Sequence, residues 1–213
     1  MKSYKKYSHL ILAFAIITLA SCSKEEDLPE PVITPSSLEV QYAYDIIADT
    51  GNVGIYTYYS LKENKVIDPA DSSTSKWDLA FKGTSVLTNS GVSGSGNGGA
   101  IVQNGIFDEV TEAPLSGYSI DGTSGLAIPT GSNNGWYFYT ASNTPEHAIL
   151  PLAGKVIIVR TADGKYAKVE ILSYYKGNPA TNTPEFESLS TRAASRYYNF
   201  KYVYQPDGTN QLN

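Results

Sequence analysis

The chain has few of the residues that catalyse reactions or ligate metals. Its 213 residues include one cysteine, one methionine and two histidines. Zinc sites are built mainly from cysteine and histidine, and a thiol nucleophile needs a histidine beside it as base. Cys22 and one of the histidines, His9, lie within or next to an N-terminal segment that resembles a cleaved signal. We therefore expect no cysteine–histidine catalytic pair and no His/Cys metal cluster, and we predict a protein that is not an enzyme.

The sequence also lacks a run of basic residues. It has 16 lysines and arginines against 21 acidic residues, a formal net charge of −5. Removal of residues 1–21, which contain three lysines and no acidic residue, makes this charge −8. Binding to nucleic acid or to an anionic surface requires clustered positive charge. The composition therefore predicts no nucleic-acid partner.

The N-terminal apolar run is too short to span a membrane. Residues 10–20 are almost all apolar, follow a basic start and lead into Ser21 and Cys22. This order is typical of a secretory signal, whereas a membrane-spanning helix needs about 20 apolar residues. The ending Leu19-Ala20-Ser21-Cys22 resembles a bacterial lipobox, in which the cysteine becomes lipidated. We predict a lipoprotein signal peptide over residues 1–21 and membrane attachment through a lipid on Cys22.

The segment after the cysteine predicts where the protein is displayed. Ser23-Lys-Glu-Glu-Asp27 resembles the surface-export signal of Bacteroidetes lipoproteins, and it is also a charged, solvated tether. Three prolines follow among charges and serines, a composition that buries too little apolar surface to fold. We predict a lipidated cysteine with a flexible tether over residues 22–37, on an outer-membrane lipoprotein exposed at the cell surface.

From residue 38 onward the pattern is typical of β-strands. Segments rich in β-branched and aromatic residues alternate with Gly, Asn and Asp turns. Predicted strands cover residues 40–44, 55–59, 76–82, 136–139, 155–160, 166–175 and 196–204. In residues 76–82, apolar Trp77, Leu79 and Phe81 alternate with charged residues such as Asp78, which predicts a half-buried strand. The Asp163-Gly164 pair predicts a hairpin.

Other features complete the prediction of a single, mostly antiparallel all-β domain over residues 38–213. The strongest helical signal is short and lies at residues 188–195. The glycine-rich segment 89–100 lacks the Gly-Lys-Ser/Thr ending of a phosphate-binding loop, so we expect a structural loop or backbone close to a ligand. The 17 tyrosines suit half-buried strands, with rings inward and hydroxyls outward, and they are equally suited to line a ligand cleft.

Several motifs occur in a defined order along this region. They are Ser75-Lys-Trp-Asp-Leu-Ala-Phe81, Asn89-Ser-Gly91, Gly98-Gly-Ala100, Val159-Arg-Thr-Ala-Asp-Gly-Lys-Tyr-Ala-Lys-Val169 and the closing tyrosine-rich strand. Together they resemble the HmuY-like lipoproteins of Bacteroidetes, over about residues 41–204. The resemblance implies an all-β fold of the HmuY-like type with few short helices. It also implies a lipid anchor and capture of haem or another porphyrin for a partner outer-membrane transporter.

The resemblance further implies where iron ligands lie. Haem iron takes axial His, Met, Cys or Tyr ligands, and the family places paired histidines, or methionines in other members, in loops that match residues 130–134 and 140–143. Neither loop contains His or Met, and Met1 and His9 leave with the signal peptide. The candidate ligand-binding residues are His147 as a haem-iron ligand, Tyr137 and Tyr139 as phenolate ligands, and the neighbouring Trp136.

Three functions remain open. The first is capture of haem or a related tetrapyrrole, as a transported ligand, and its transfer to a transporter. The second is a surface binding or adhesion module for glycan or protein on the same scaffold, with tyrosines as an aromatic platform. The third is an accessory subunit of an outer-membrane complex. The absorption spectrum of the protein mixed with haemin distinguishes the first from the others.

Overall fold

The computed structural model describes residues 38–213; the predicted signal peptide, Cys22 and the tether lie outside the described residues. The strands are β1 (Gln41–Ile47), β2 (Thr57–Ser60), β3 (Lys65–Ile67), β4 (Leu79–Lys82), β5 (Ser85–Thr88), β6 (Gly99–Asn104), β7 (Tyr137–Tyr139), β8 (Ile149–Pro151), β9 (Lys155–Arg160), β10 (Tyr166–Tyr175) and β11 (Ser195–Gln205). One α-helix, α1 (Pro184–Glu187), and two 3-10 helices, Pro69–Asp71 and Phe107–Glu109, complete the elements of this region. No helix within residues 38–213 has the length and apolar character to cross a membrane.

The strands pair antiparallel in three sheets, which confirms the predicted all-β fold. The five-stranded sheet has the order β1-β11-β10-β9-β6, the four-stranded sheet β3-β2-β4-β5, and β7 pairs with β8 alone. The predicted hairpin joins β9 and β10, where Gly164 takes a φ of 82° that favours glycine. Its N–H donates to the carbonyl of Thr161 at 3.0 Å.

Aromatic rings fill the space between the two large sheets. Tyr198, Phe200 and Tyr202 occupy every second position of β11, share its inner face and are fully buried. The ring of Phe81 on β4 lies 4.6 Å from that of Tyr198 and 5.6 Å from that of Phe200, measured between centroids. Tilted and offset pairs of this kind add to the free energy of simple area burial.

The hydroxyls of the core tyrosines point into the protein, contrary to the expectation of rings inward and hydroxyls outward. The Tyr198 hydroxyl donates to the carbonyl of Gly83 at 3.0 Å, and the Tyr202 hydroxyl to that of Leu61 at 2.9 Å. Burial raises the pKa of both phenols because the phenolate form loses its hydration. These tyrosines therefore connect the two sheets through hydrogen bonds as well as through packing.

The prediction that residues 76–82 form a half-buried strand is wrong about the exposure of this strand. It forms β4 at Leu79–Lys82, in the middle of the four-stranded sheet, and Asp78 is only 6% exposed. Leu79 and Phe81 face the core between the sheets, whereas Ala80 and the preceding Trp77 belong to a second apolar cluster. Both faces of the strand are therefore covered from Leu79 to Phe81, and only Lys82 at its end is partly exposed.

The helix predicted at residues 188–195 is also wrong. The helix α1 comes earlier, at Pro184–Glu187. The Thr183 hydroxyl accepts the N–H of Phe186, and Pro184 occupies the first turn, where its missing N–H costs nothing. The chain then turns and enters β11 at Ser195. The last residue of the predicted helix therefore belongs to a strand of the five-stranded sheet.

Asp78 joins the two large sheets. One carboxylate oxygen accepts the N–H of Leu61, which follows β2, at 2.8 Å, and the other accepts the N–H of Ala162, in the β9–β10 turn, at 3.0 Å. Burial raises the pKa of Asp78 to about 6, against the lowering effect of these two hydrogen bonds. The Trp-Asp motif therefore has a structural role in this chain.

The glycine-rich segment folds around the side chain of Asn89. The Asn89 amide donates to the carbonyl of Trp77 at 2.8 Å and accepts the N–H of Gly96 at 2.9 Å. A Cβ at Gly94 would lie 2.1 Å from Oδ1 of Asn89, and a Cβ at Gly96 would lie 2.8 Å from Cβ of Ala162. Of the two expected roles, the structural one accounts for these glycines, because close backbone approach requires them.

Candidate functional site

The hairpin of β7 and β8 carries the residues selected from the sequence. Tyr137 lies opposite Pro151 and Tyr139 opposite Ile149, and residues 140–148 form the connecting loop. Successive side chains of a strand point to opposite faces. Tyr137 and Tyr139 therefore share one face of the hairpin, and Phe138 lies on the other.

Trp136 and Tyr137 attach this hairpin to the core. Trp136 is 2% exposed and Tyr137 is 7% exposed. The indole N–H of Trp136 donates to the carbonyl of Thr84 at 3.0 Å, and its ring centroid lies 4.9 Å from that of Tyr137 and 5.1 Å from that of Tyr198. These two candidates thus act as packing residues, and they position the exposed end of the hairpin.

Tyr139 and His147 form a pair at that exposed end. Tyr139 is 43% exposed, and His147 is exposed as well. The hydroxyl oxygen of Tyr139 lies 2.5 Å from Nδ1 of His147, and the two rings are stacked with centroids 6.0 Å apart and planes 24° apart. The structure therefore brings together a phenol and an imidazole that the sequence presented only as separate candidates.

The loop that carries His147 is held by hydrogen bonds around Thr140. The Thr140 hydroxyl accepts the N–H of Ala148 at 2.8 Å and donates to the carbonyl of Pro145 at 2.5 Å. The N–H of His147 donates to the carbonyl of Ala141 at 2.7 Å. Ala141 and His147 have positive φ angles of 50° and 54°, a conformation that costs energy in residues other than glycine and clusters at functional sites.

The loop of residues 130–134 lies along β7 beside this pair. The Ser132 hydroxyl accepts the N–H of Tyr139 at 2.8 Å, and the N–H of Asn133 donates to the carbonyl of Tyr137 at 2.9 Å. The two loops that the resemblance implies as ligand loops therefore flank the exposed pair. They supply hydroxyl and amide groups there, and the nitrogen base comes from His147.

The opposite face of the hairpin borders a cleft, lined by both apolar and polar groups, that the sequence did not predict. The cleft has a volume of about 390 Å³, within the usual range for small-molecule sites. Its lining includes Phe138, Leu150, Leu152, Ile171 and Leu172. The alternation along residues 137–139 was the available signal, because it separates Phe138 from the two tyrosines. The residues of β10 that line the cleft are distant in sequence from the hairpin, so no local pattern predicts their contact with it.

Within residues 38–213 no three His, Cys, Asp or Glu side chains gather as a metal site. Tyrosine and histidine are both established protein ligands of haem iron. The exposed pair offers one phenol oxygen and one imidazole ring.

A family model, described as HmuY protein, matches residues 54–187, which include the whole hairpin. The chain belongs to the HmuY family. The resemblance drawn from the motifs is thereby confirmed. No curated protein matches the chain.

Solved structures of HmuY-like proteins are similar to this member of the HmuY family. Apo PinO from Porphyromonas gingivitis matches with a TM-score of 0.52 and 14% identity, over 79% of this chain and 98% of that one. A HmuY-like protein from Bacteroides vulgatus matches with a TM-score of 0.49 and 19% identity, over 78% and 91%. The apo HmuY analogue of Tannerella forsythia has a TM-score of 0.48 and 16% identity, over 80% and 96%. At 14% identity, the match to apo PinO shows a shared fold alone.

Proposed function

We propose that this protein is a surface lipoprotein that binds haem or a related tetrapyrrole and passes it to an outer-membrane transporter. It is a binding protein, not an enzyme. Membership of the HmuY family supports a haem-like ligand, and the relative from Bacteroides vulgatus is described as a candidate haem-binding protein. The observation that carries the proposal for this chain is the exposed Tyr139–His147 pair at the end of the β7–β8 hairpin.

The pair supports the proposal because of where it lies and what it offers. The ligand loops implied by the resemblance flank Tyr139, and they lack the paired histidines or methionines of the family. Tyr139 and His147 supply an oxygen and a nitrogen that haem iron accepts. Ile149, which lies opposite Tyr139 on β8, adds a half-buried apolar side chain beside the pair, and a porphyrin ring has apolar faces.

Surface display and transfer rest on the N-terminal sequence and the family. Cys22 ends a lipobox, and residues 23–27 carry the lysine and acidic residues of a surface-export signal. A lipid on Cys22 would hold the domain at the outer membrane through the tether of residues 22–37. A haem-binding domain tethered in this way would release its ligand to a transporter in the same membrane.

Haemin titration of the full-length protein in detergent tests the proposal. We expect a saturable shift of the Soret band relative to haemin in the same detergent without protein. Complex formation is checked separately by co-elution of haemin with the protein in gel filtration. A spectrum identical to that of haemin in detergent, with no co-elution, would overturn the proposal.

One observation favours the alternative of an adhesion module. Tyr42 and Tyr44 are 46% and 59% exposed on β1, the edge strand of the five-stranded sheet. Their rings are nearly parallel, with planes 3° apart and centroids 5.8 Å apart. Aromatic faces of this kind are suited to stack on the apolar face of a sugar. Glycan-array binding that Tyr44→Ala abolishes, without any haemin binding, would establish this alternative.

A further inference from the structure

The contact between Tyr139 and His147 determines which of the two can bind iron. Within residues 38–213, Nδ1 of His147 is the hydrogen-bonding partner of the Tyr139 hydroxyl. A neutral imidazole has one nitrogen that donates and one that accepts. The direction of this hydrogen bond therefore decides which ring nitrogen carries the proton.

Acid strength sets that direction. Phenols are much stronger acids than neutral imidazoles, and an imidazole nitrogen is a better acceptor than a phenol oxygen. The hydroxyl of Tyr139 therefore donates to Nδ1 of His147, and the ring proton lies on Nε2. In this arrangement neither nitrogen offers a free lone pair to a metal, whereas the phenol oxygen keeps its own.

We propose that Tyr139 is the axial ligand of bound ferric haem, as a phenolate, and that His147 accepts its proton. This inference rests on the proposed function. The Tyr139 oxygen forms a bond to Fe(III), its O–H bond breaks, and the proton moves to Nδ1. The water on the ferric iron leaves, and the iron stays Fe(III). The imidazolium of His147 then donates its N–H to the bound phenolate oxygen and stabilises it.

The backbone around the pair supports these roles. The N–H of Tyr139 is bound by the Ser132 hydroxyl at 2.8 Å. His147 is held on the other side by its N–H to the carbonyl of Ala141 at 2.7 Å. Arg192 further ties the loop to the segment after α1 through the carbonyl of Glu146, at 2.7 Å. Both side chains therefore start from fixed backbone positions, which lowers the cost of holding the phenol at a metal with the imidazole beside it.

A phenolate ligand also selects the oxidation state. Anionic oxygen is a hard ligand and suits Fe(III) better than the softer Fe(II). We therefore expect the protein to bind haemin and gallium(III) protoporphyrin, and to bind reduced haem and metal-free protoporphyrin more weakly. If histidine were the ligand, reduced haem would instead stay bound, since imidazole is a good ligand of ferrous haem.

The test compares three variants of the full-length protein in detergent. Tyr139→Phe removes the ligand, and His147→Asn removes the base while it keeps a residue type that tolerates positive φ. Tyr42→Phe is the matched control, because Tyr42 is 46% exposed and Tyr139 is 43% exposed. All three changes lie on the surface, and circular dichroism checks that each variant is folded. Binding is measured by haemin titration, and ligation by resonance Raman bands of an iron-bound phenolate.

We expect phenolate bands in the wild type and in Tyr42→Phe, and their loss in Tyr139→Phe. His147→Asn should weaken haemin binding about 10-fold or more, as loss of a group that supports a metal ligand does. If the wild type binds haemin and Tyr139→Phe has the same spectrum and affinity, the proposed function stands and this assignment is wrong. If a low-spin histidine spectrum disappears in His147→Asn alone, His147 is the ligand. If no haemin binds to the wild type, both the proposed function and this inference fail.

Discussion

The buried carboxylate of Asp78 leads to a prediction about stability that can be tested without a ligand. It accepts the N–H groups of Leu61 and Ala162 at 2.8 and 3.0 Å, and so joins the two large sheets. In Asp78→Asn the amide oxygen still accepts one N–H, but the amide NH2 faces the other donor. One buried N–H is then left without a partner, which costs about 1–3 kcal/mol. The amide does not titrate, so residue 78 adds no pH dependence to the stability of the variant.

The wild-type carboxylate does titrate, and this gives the comparison a pH dependence. Burial raises the pKa of Asp78 from 3.8 to about 6 in the folded protein. Between these values the folded state binds more protons than the unfolded state, so the stabilising contribution of the neutral carboxyl is present below pH 4 and is lost as the pH rises through 6. A shift of about two pKa units corresponds to about 3 kcal/mol. The disadvantage of Asp78→Asn should therefore shrink by about 3 kcal/mol between pH 4 and pH 7.5.

Urea unfolding at pH 4, 6 and 7.5 measures this difference. Trp77 and Trp136 are both buried, so their fluorescence reports the loss of the core. The exposed Asp108→Asn serves as a control for the loss of one acidic side chain at the surface. A free-energy difference for Asp78→Asn that stays constant with pH, or grows as the pH rises, would mean that the two N–H bonds outweigh burial. The reasoning about Asp78 would then be refuted.

Other regions of the chain give three further predictions. Gly94→Ala should lower the midpoint of thermal unfolding, because its Cβ would lie 2.1 Å from Oδ1 of Asn89; an unchanged midpoint would show that the loop adapts freely. Lys168→Met should destabilise the protein by about 1–3 kcal/mol in urea, because the buried ammonium donates to two backbone carbonyls that would lose their partner; no change would mean that water replaces it. Cys22→Ala should abolish metabolic lipid labelling, and alanines at residues 24–27 should reduce protease cleavage of the protein on intact cells; unchanged labelling or cleavage would contradict the signal assigned to each.

The sequence was sufficient for the elements whose partners are local. The β9–β10 hairpin follows from alternating apolar residues around Asp163-Gly164, and β9 and β10 begin and end where predicted. The inner face of β11 follows from Tyr198, Phe200 and Tyr202 at every second position. The hairpin is predicted by its turn residues, and the inner face of β11 by the alternation within one strand.

The sequence was not sufficient where the exposure of a residue depends on a second layer of the fold. The alternation along one strand predicted that Asp78 is exposed to solvent. That pattern does not show that Trp77 and Ala80 pack in a second apolar cluster. The same limit applies to the candidate site. Tyr139 and His147 were both selected, but their contact depends on the loop that Thr140 closes, and the cleft beside Phe138 depends on residues of β10.

The motifs that identify the family and the residues of the candidate site have different structural roles in this chain. The Trp-Asp motif, Asn89 and the glycine-rich segment hold the sheets and turns together through Asp78, Asn89 and close backbone contacts. The candidate site lies at the end of the β7–β8 hairpin, where the side chains of Tyr139 and His147 are exposed. Exposed residues at such a position can change without loss of the fold. Membership of the HmuY family is therefore compatible with a different iron ligand, and the test of Tyr139 addresses ligation independently of the scaffold.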